Sequence, residues 1–301
     1  MDFASFAISV GLSIKDLSHS DRIRRCGTAL HPTSNNGAYY YDGIKGWCQN
    51  WEMSAEPHWW QSDRQLTPAE VERWRRRGES WKAQRRELSK KAAARAQERL
   101  DLAAFRGHPY LTARGLGHVH GLVEEGTQSL LVPMRHARDN SILGLQEIYY
   151  DHFNCKWMKK MQYGMTAKGA IFKFCPPQPM HGVYCEGYST GLSIVEAVRV
   201  MRLQVTVTVC FSADNMLHVA RHFGDVDHSI IFADNDKSGK GQQVAAASGF
   251  VWTMPHDEGQ DANDLFRAEG PIAVLQLLVA AFKERDRVYG KKHFQAGEVA
   301  R

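Results

Sequence analysis

The sequence predicts an α/β protein whose carboxyl-terminal part, residues 179–301, is built on a parallel sheet flanked by helices. In this part short apolar runs alternate with segments of helical periodicity, which is typical of consecutive βα units. Between residues 107 and 178 short apolar runs alternate with turns, which indicates a strand-rich α+β platform. Residues 63–106 are rich in Lys, Arg and Ala, and residues 1–62 are rich in aromatic side chains. We therefore divide the chain into four predicted segments.

Each element follows from its own apolar pattern. In the platform, apolar runs that predict strands lie at 129–134, 141–150 and 170–174. In the carboxyl-terminal segment, strands are predicted at 182–186, 205–211, 229–233 and 250–254, and helices at about 190–202, 213–223, 239–248 and 271–285. This order implies parallel strands joined by helices that cover the faces of the sheet.

The first segment is predicted to be a small β-rich module. Asn35-Asn36-Gly37 and Asp42-Gly43 are hairpin-type turn signals within an aromatic stretch. Exposed rings would suit stacking on the bases of a single strand. Aromatic side chains on short strands more often form a small core, and we favour the core for most of them.

The six cysteines include no C-x-x-C pair, so a zinc ribbon is not indicated. Cys26, His31 and Cys48 supply only three of the four ligands that a closed structural zinc site requires. We expect no zinc.

The second segment is predicted to be a long, basic, solvated helix. Thr67-Pro68-Ala69-Glu70 has the pattern of a helix start. Between residues 67 and 106 the chain nets +6, whereas the whole chain nets +5. One interpretation is an arm that follows DNA phosphates, with the DNA-binding residues Arg75, Arg76, Arg77, Arg85 and Arg86. The other is a spacer with ion pairs such as Glu87 with Lys91.

Two acidic motifs end predicted strands of the carboxyl-terminal sheet. Glu186 follows one strand, and the pair Asp234 and Asp236 follows another. Ligands of open α/β sheets bind outside the carboxyl ends of the strands. Carboxylates are the ligands that Mg²⁺ prefers, and two such ions could clamp the oxygens of a phosphoryl transfer. Helix capping would better explain Asp-x-Asp alone, but together with Glu186 the pair predicts a metal site.

Phosphate-binding residues are predicted beside these acids. Gly187 and Gly191, with Thr190 between them, would let the backbone turn closely beneath a phosphate, although ordinary helix entry also explains the glycines. Lys237 and Lys240 could hold a nucleotide phosphate, or could belong to a solvated loop.

The acidic motifs belong to a longer pattern. Its carboxyl-terminal parts are Glu186-Gly187-Tyr188-Ser189-Thr190-Gly191-Leu192-Ser193-Ile194, Ala233-Asp234-Asn235-Asp236 and Asp261-Ala262-Asn263-Asp264. Its upstream parts are His108-Pro109-Tyr110-Leu111, Leu130-Leu131-Val132-Pro133-Met134-Arg135, Leu143-Gly144-Leu145-Gln146, Lys168-Gly169-Ala170, and Asn36-Gly37-Ala38-Tyr39 with Gly46-Trp47. The pattern resembles the Toprim domain, and more narrowly the primases of conjugative plasmids and phages. Phe211-Ser212-Ala213-Asp214-Asn215 departs from it, having Ser and Asp where Asp and Gly are expected.

The resemblance implies a stand-alone DNA primase that joins ribonucleoside triphosphates on a single-stranded DNA template with Mg²⁺ or Mn²⁺. It implies Glu186 as a metal ligand or acid–base group, and Asp234 and Asp236 as metal ligands. It also implies a third acidic element at Asp261 or Asp264, for which a helix N-cap is the alternative explanation. A separate replicative helicase is the implied partner, and the cytoplasm of a bacterium or phage-infected host is the implied location.

Two other functions use the same features. A Toprim nuclease or nickase needs the same acids but cleaves DNA. A replication accessory protein would bind single strands through the basic helix without turnover, but the intact acids argue against it.

Composition and hydropathy agree with this class. The chain has 301 residues, of which 43% are hydrophobic, and this is enough for a sizeable core. The apolar run from Phe3 to Ile14 is far shorter than the ~20 residues that a membrane span requires, so no membrane segment is expected.

Overall fold

A mixed sheet of ten strands organises the second of the two units into which the chain folds. The units are Met1–Ser80 and Trp81–Arg301. The computed structural model describes residues 1–17, 20–54, 56–62 and 67–290. The predicted start of the basic segment at residue 63 and the predicted carboxyl-terminal residues 291–301 lie outside this part of the chain.

The first unit is an antiparallel sheet with a short helix against it. Its elements are helix α1 (Phe3–Ser9), strands β1 (Leu12–Ser13), β2 (Ser20–Thr28), β3 (Gly37–Tyr41), β4 (Lys45–Asn50) and β5 (His58–Gln61), and the beginning of helix α2 (Pro68–Asp101). The strands lie in sequence order. Phe3 stacks on Tyr41 with ring centroids 4.4 Å apart and lies edge-on to Trp60. The predicted β-rich module thus has an aromatic core, while Trp51 and Trp59 are exposed.

Helix α2 begins where the sequence predicts. The Glu70 carboxylate accepts a hydrogen bond from the Thr67 backbone N–H at 2.9 Å, and Pro68 opens the helix. The helix is 34 residues long and continues into the second unit, where it buries Ala92 and Ala96. Its other residues are mostly solvated, as the high content of charged side chains predicts.

The second unit contains the remaining elements. They are β6 (Ala104–Arg106), α3 (Pro109–Ala113), β7 (Gly121–Val123), β8 (Leu130–His136), β9 (Ile142–Asp151), β10 (Lys156–Met161), β11 (Ala170–Phe174), β12 (His181–Cys185), α4 (Tyr188–Val200), β13 (Val205–Val209), α5 (Ala213–Phe223), β14 (Ser229–Phe232), α6 (Lys240–Ser248), β15 (Trp252–Thr253), α7 (Ala262–Glu269) and α8 (Pro271–Tyr289). The platform strands and the βα units that follow them belong to one sheet. The main strand order is β10-β9-β8-β11-β13-β12-β14-β15.

The parallel part of the sheet is smaller than the whole. Strands β13, β12, β14 and β15 are parallel to one another, as predicted. Strand β11 is antiparallel to both β13 and β8, and the sheet therefore continues into the antiparallel platform. Helices α4, α7 and α8 cover one face of the parallel strands, and α5 and α6 cover the other. Strand β14, in the middle of the parallel part, is buried throughout, whereas β12 alternates buried and half-buried residues.

Several elements of the second unit differ from the sequence prediction, which lacks β6, α3, β7 and β10. Helix α4 begins at Tyr188 instead of residue 190, because Gly187 serves as its N-cap. Strand β15 is reduced to Trp252–Thr253. Helix α7 was not among the predicted helices, since its eight residues are too few for a clear period. No helix within the described ranges is long and apolar enough to span a membrane.

Candidate metal centre

Two adjacent parallel strands of the sheet end just before the first acidic residues. Strand β12 ends at Cys185, one residue before Glu186, and β14 ends at Phe232, two residues before Asp234. The register pairs Gly182 with Ser229. Because the strands are parallel and adjacent, both acids emerge at the same edge of the sheet.

The acids are close enough to disturb one another's ionisation. Burial, followed by the charges of Asp261 and Glu186, raises the pKa of Asp234 to about 8. Burial, followed by the charge of Asp236, raises the pKa of Glu186. A cluster of carboxylates that repel one another in a half-buried position is an arrangement that a cation would stabilise.

One oxygen of the cluster has no partner. Asp234 Oδ1 is shielded from solvent and has no hydrogen-bond partner. A buried carboxylate oxygen without a partner is costly, and a bound cation would satisfy it. Within the described residues no three His, Cys, Asp or Glu side chains are gathered around one point as ion ligands. The carboxylates are thus electrostatic neighbours of the oxygen type that Mg²⁺ prefers, and the unpartnered Asp234 Oδ1 is an atom that a cation would satisfy.

Asp236 does not cap the helix that follows it. It is exposed, and its carboxylate accepts a hydrogen bond of 2.8 Å from the Ser238 N–H. The N-cap of α6 is Gly239, whose φ is 66°. Helix capping therefore does not explain the Asp-x-Asp pair. A Cβ on Gly241 would lie 2.3 Å from the Asp234 carbonyl oxygen, so this glycine allows α6 to approach the acidic loop.

Asp261 and Asp264 have different surroundings. Together they form a capping box at the start of α7, in which the Asp264 carboxylate accepts from the Asp261 N–H at 3.2 Å. The second carboxylate oxygen of Asp261 accepts from the Thr190 hydroxyl at 3.0 Å. Asp261 also raises the pKa of Asp234. Of the two candidates for the third acidic element, Asp261 lies at the cluster.

The predicted phosphate-binding residues do not all face the cluster. Gly187 lies beside it as the N-cap of α4, but Thr190 is fully buried behind Asp261. Gly191 is a packing residue, because a Cβ there would lie 2.6 Å from Val209 Cγ2. Lys237 is exposed in the loop after the acids.

Two lysines provide positive charge at the cluster. The charge of Lys240 partly offsets the rise in the pKa of Glu186. Lys240 also forms an ion pair of 2.7 Å with Asp214. Lys159 lowers the pKa of both Glu186 and Asp234. Sequence reasoning missed Lys159, since it lies on platform strand β10, far from the acids along the chain and five places from β12 in the strand order. The folded chain nevertheless places Lys159 Nζ 4.0 Å from the position of a Cβ on Gly187.

A groove in the platform begins close to Lys159. Its volume is about 920 Å³, and half of its lining residues are aromatic or basic, with Glu147 also in the wall. The aromatic and basic residues are Arg106, His108, Tyr149, Tyr150, His152, Trp157 and Lys160. Trp157 lies edge-on to Tyr150 and to Tyr110. Lys159 Nζ is 6.0 Å from the Tyr110 ring centroid. The groove and the acidic cluster therefore approach the same part of β10.

The basic helix carries two kinds of arginine. Arg75 and Arg76 both pair with Glu72, at 2.9 and 2.8 Å. Arg77 pairs with Asp42 at 3.4 Å. For Arg85 and Arg86 the described part of the chain provides no such partner.

A further ion pair of this helix differs from the one expected, since Glu87 pairs with Lys90 at 3.1 Å instead of with Lys91. The ion pairs of Arg75, Arg76 and Arg77 are of the kind that the spacer interpretation expects, and both interpretations of the helix stay predictions.

Comparisons with known proteins agree with this geometry. Neither the curated proteins nor the solved structures contain a match to the chain. The family model of the Toprim domain matches residues 182–271, which include Glu186, Asp234, Asp236 and Asp261. Such domains belong to metal-dependent enzymes that act on DNA, among them primases, nucleases and topoisomerases. The chain contains a Toprim domain at residues 182–271.

Proposed function

We propose that the protein is a DNA primase that joins ribonucleoside triphosphates on single-stranded DNA. The observation that carries the proposal is the acidic cluster of the Toprim domain, with its unpartnered Asp234 Oδ1 and its two flanking lysines. Carboxylates that hold a divalent ion next to cations that hold a triphosphate are the parts that nucleotidyl transfer needs.

Glu186, Asp234, Asp236 and Asp261 would hold Mg²⁺ or Mn²⁺. The bound ion would supply charge neutralisation for the reacting phosphate and activation of the primer hydroxyl. Asp261 is held in place by the Thr190 hydroxyl at 3.0 Å. Glu186, whose pKa is raised by burial, is the alternative candidate for an acid–base group.

The lysines would bind the incoming nucleotide. Lys159 projects from the platform towards the acids, and Lys240 approaches from the Toprim domain. In the absence of nucleotide Lys240 is paired with Asp214, and a triphosphate would compete with this carboxylate for the ammonium group. This gives Asp214 a role as a temporary partner of Lys240.

The platform groove would bind the single-stranded template. Exposed aromatic faces bind bases regardless of sequence, and basic side chains bind the phosphates between them. Trp157, Tyr150, Arg106 and Lys160 supply both kinds of contact in one groove, and the strand that carries Trp157 also carries Lys159. A template in this groove would lead towards the acidic cluster.

The test is product formation on single-stranded DNA with labelled ribonucleotides and Mg²⁺ or Mn²⁺. Short, template-dependent oligonucleotides are expected for the wild type and should be lost in Glu186→Gln and Asp234→Asn. Glu269→Gln, which changes an exposed acid at the end of α7, is the matched control and should retain activity. Absence of oligonucleotides from the wild type under both metals would refute the proposal.

A nuclease or nickase is the second candidate, since it would use the same acids. Cleavage of the DNA that depends on Glu186, without oligonucleotide synthesis, would establish it. Binding without either reaction would instead favour an accessory protein. A separate helicase partner and a cytoplasmic setting stay predictions that follow from the resemblance to plasmid and phage primases.

A further inference from the structure

A fully buried arginine lies at the end of the sheet opposite the acidic cluster. Arg285 of α8 has no solvent exposure. Its guanidinium donates to the His228 carbonyl oxygen at 2.8 Å and, from two nitrogens, to His181 Nδ1 at 3.3 Å. Asp286 Oδ1 accepts from Nε at 3.0 Å and from Nη2 at 2.6 Å. Burying a charged group costs free energy unless its hydrogen bonds are made. The partners of Arg285 satisfy its guanidinium, and the groups that it joins indicate its role.

The partners of Arg285 begin the two strands that end in the acids. His181 is the first residue of β12, which leads to Glu186, and His228 immediately precedes β14, which leads to Asp234. The His228 carbonyl oxygen also accepts from the Gly182 N–H at 2.9 Å. One carbonyl group thus joins β12, β14 and Arg285.

The pairing between these strands needs such support because it is short. Only Gly182, Val183 and Tyr184 of β12 have partners in β14. A slip of one residue would move a carboxylate by about 3.3 Å and turn its side chain to the other face. Mg²⁺ requires near-ideal distances of about 2.0 to 2.1 Å, so it tolerates no such slip.

The contact with Arg285 fixes the tautomer of His181. Guanidinium nitrogens only donate, so Nδ1 of His181 accepts, and its imidazole carries its proton on Nε2. The ring also stacks on Phe282, with centroids 4.8 Å apart. Asp286 balances the charge of Arg285, and Asp225 pairs with His228 at 2.9 Å.

We propose that Arg285 is a positioning residue for the metal centre, which fixes the register of β12 and β14 through His181 and the His228 carbonyl. The inference rests on the assignment of Glu186 and Asp234 as metal ligands in the proposed function. Arg285 touches neither ion nor substrate, and it acts only through the two strands.

The experiment measures Mn²⁺ affinity, from the electron paramagnetic resonance signal of free Mn²⁺, in the full chain. Arg285→Met and His181→Leu should weaken Mn²⁺ binding by about ten-fold while the circular dichroism spectrum stays that of the folded protein. His181→Asn retains an acceptor oxygen and should restore most of the affinity. Arg287→Met is the matched control on the same helix, since Arg287 is exposed and its ion pair among the described residues is with Glu284.

The outcomes separate this inference from the proposed function. A lower Tm with unchanged Mn²⁺ affinity in Arg285→Met and His181→Leu would show a purely structural role and overturn the inference. If Arg285→Met does not fold, His181→Leu and His181→Asn decide. Mn²⁺ binding that is insensitive to Glu186→Gln would overturn both proposals. Weakened Mn²⁺ binding in the variants, without primer synthesis by the wild type, would support the inference and refute the primase.

Discussion

The hydroxyl group of Thr190 donates a hydrogen bond of 3.0 Å to Oδ2 of Asp261, and it joins the first turn of α4 to the N-cap of α7. Thr190 is fully buried, although it belongs to a motif that the sequence suggests is exposed to phosphate. The other oxygen of Asp261 accepts from the Asp264 N–H at 2.9 Å. Asp261 is therefore held from two helices while it faces Asp234.

Removal of this hydroxyl should disturb both stability and metal binding. Thr190→Val keeps the shape but leaves Asp261 without its donor, and we expect a loss of about 1 to 2 kcal/mol in the free energy of unfolding. Mn²⁺ affinity should also fall, because Asp261 loses its orientation. Urea denaturation and Mn²⁺ titration provide the measurements. Thr190→Ser restores the hydroxyl, and a serine variant as damaged as the valine variant would contradict this explanation.

Asp234 should make the metal-free protein sensitive to pH. Its pKa of about 8 in the folded state lies above the ordinary value of 3.8, so the folded protein holds this proton more tightly than the unfolded chain. The stability from this group is complete below about pH 4 and is lost as the pH rises through about 8.

In Asp234→Asn this part of the pH dependence should vanish, and the metal-free variant should exceed the wild type at pH 8 by on the order of 2 kcal/mol. Urea denaturation in EDTA across pH 5 to about 8.5 measures it. Addition of Mg²⁺ should stabilise the wild type most at the alkaline end. Equal pH profiles of the two proteins would count against a buried, proton-binding Asp234.

Lys159 should contribute to nucleotide binding. Lys159→Gln removes a cation that lowers the pKa of Glu186 and Asp234, and we expect nucleotide affinity to fall by about ten-fold, or ~1.4 kcal/mol. Filter binding of labelled nucleotide in the presence of Mn²⁺ measures this. Lys156→Gln is the control, since Lys156 is exposed on the same strand and is not among the charges that act on the acids. Equal losses in both variants would indicate only a general charge effect.

The groove should bind single strands by stacking. Trp157→Ala should weaken binding of an oligothymidylate by about 1 to 3 kcal/mol, while Trp157→Phe should retain most of the affinity. Fluorescence anisotropy of a labelled strand is a suitable measurement. Trp59→Ala, at an exposed tryptophan of the first unit, tests the alternative that bases stack on the amino-terminal module. A larger loss from Trp59→Ala than from Trp157→Ala would move the interface to that module.

The two kinds of arginine in α2 should differ in their effect on DNA. Arg85→Gln with Arg86→Gln should flatten the dependence of affinity on salt by about two phosphate contacts. Arg75→Gln with Arg76→Gln should change it little, because both arginines are already paired with Glu72. Binding isotherms over a range of salt concentrations compare the slopes. If Arg75→Gln with Arg76→Gln flattened the salt dependence more than the Arg85 and Arg86 variant does, DNA would have to displace Glu72 from these arginines.

Much of the candidate site could be predicted because its residues follow strand ends. Strand β12 ends in the apolar run Val183-Tyr184-Cys185 and β14 in Ile230-Ile231-Phe232, so the positions of Glu186 and Asp234 follow from local pattern alone. Lys159 could not be found in this way, since β10 is distant from β12 both along the chain and in the strand order, and only the tertiary fold places its Nζ beside Gly187. Nor could the burial of Thr190, because the same short motif can face either solvent or a neighbouring helix.

The position of β11 has a consequence for where this protein can be divided. Strand β11 lies outside the matched family region, yet it pairs with β13 through Phe172, Lys173 and Phe174. A fragment that begins at residue 182 would therefore expose one whole side of β13, and an unpaired apolar strand is a template for aggregation. The border of the matched family region thus cuts through the sheet, and a fragment that keeps β13 paired on both sides has to include β11.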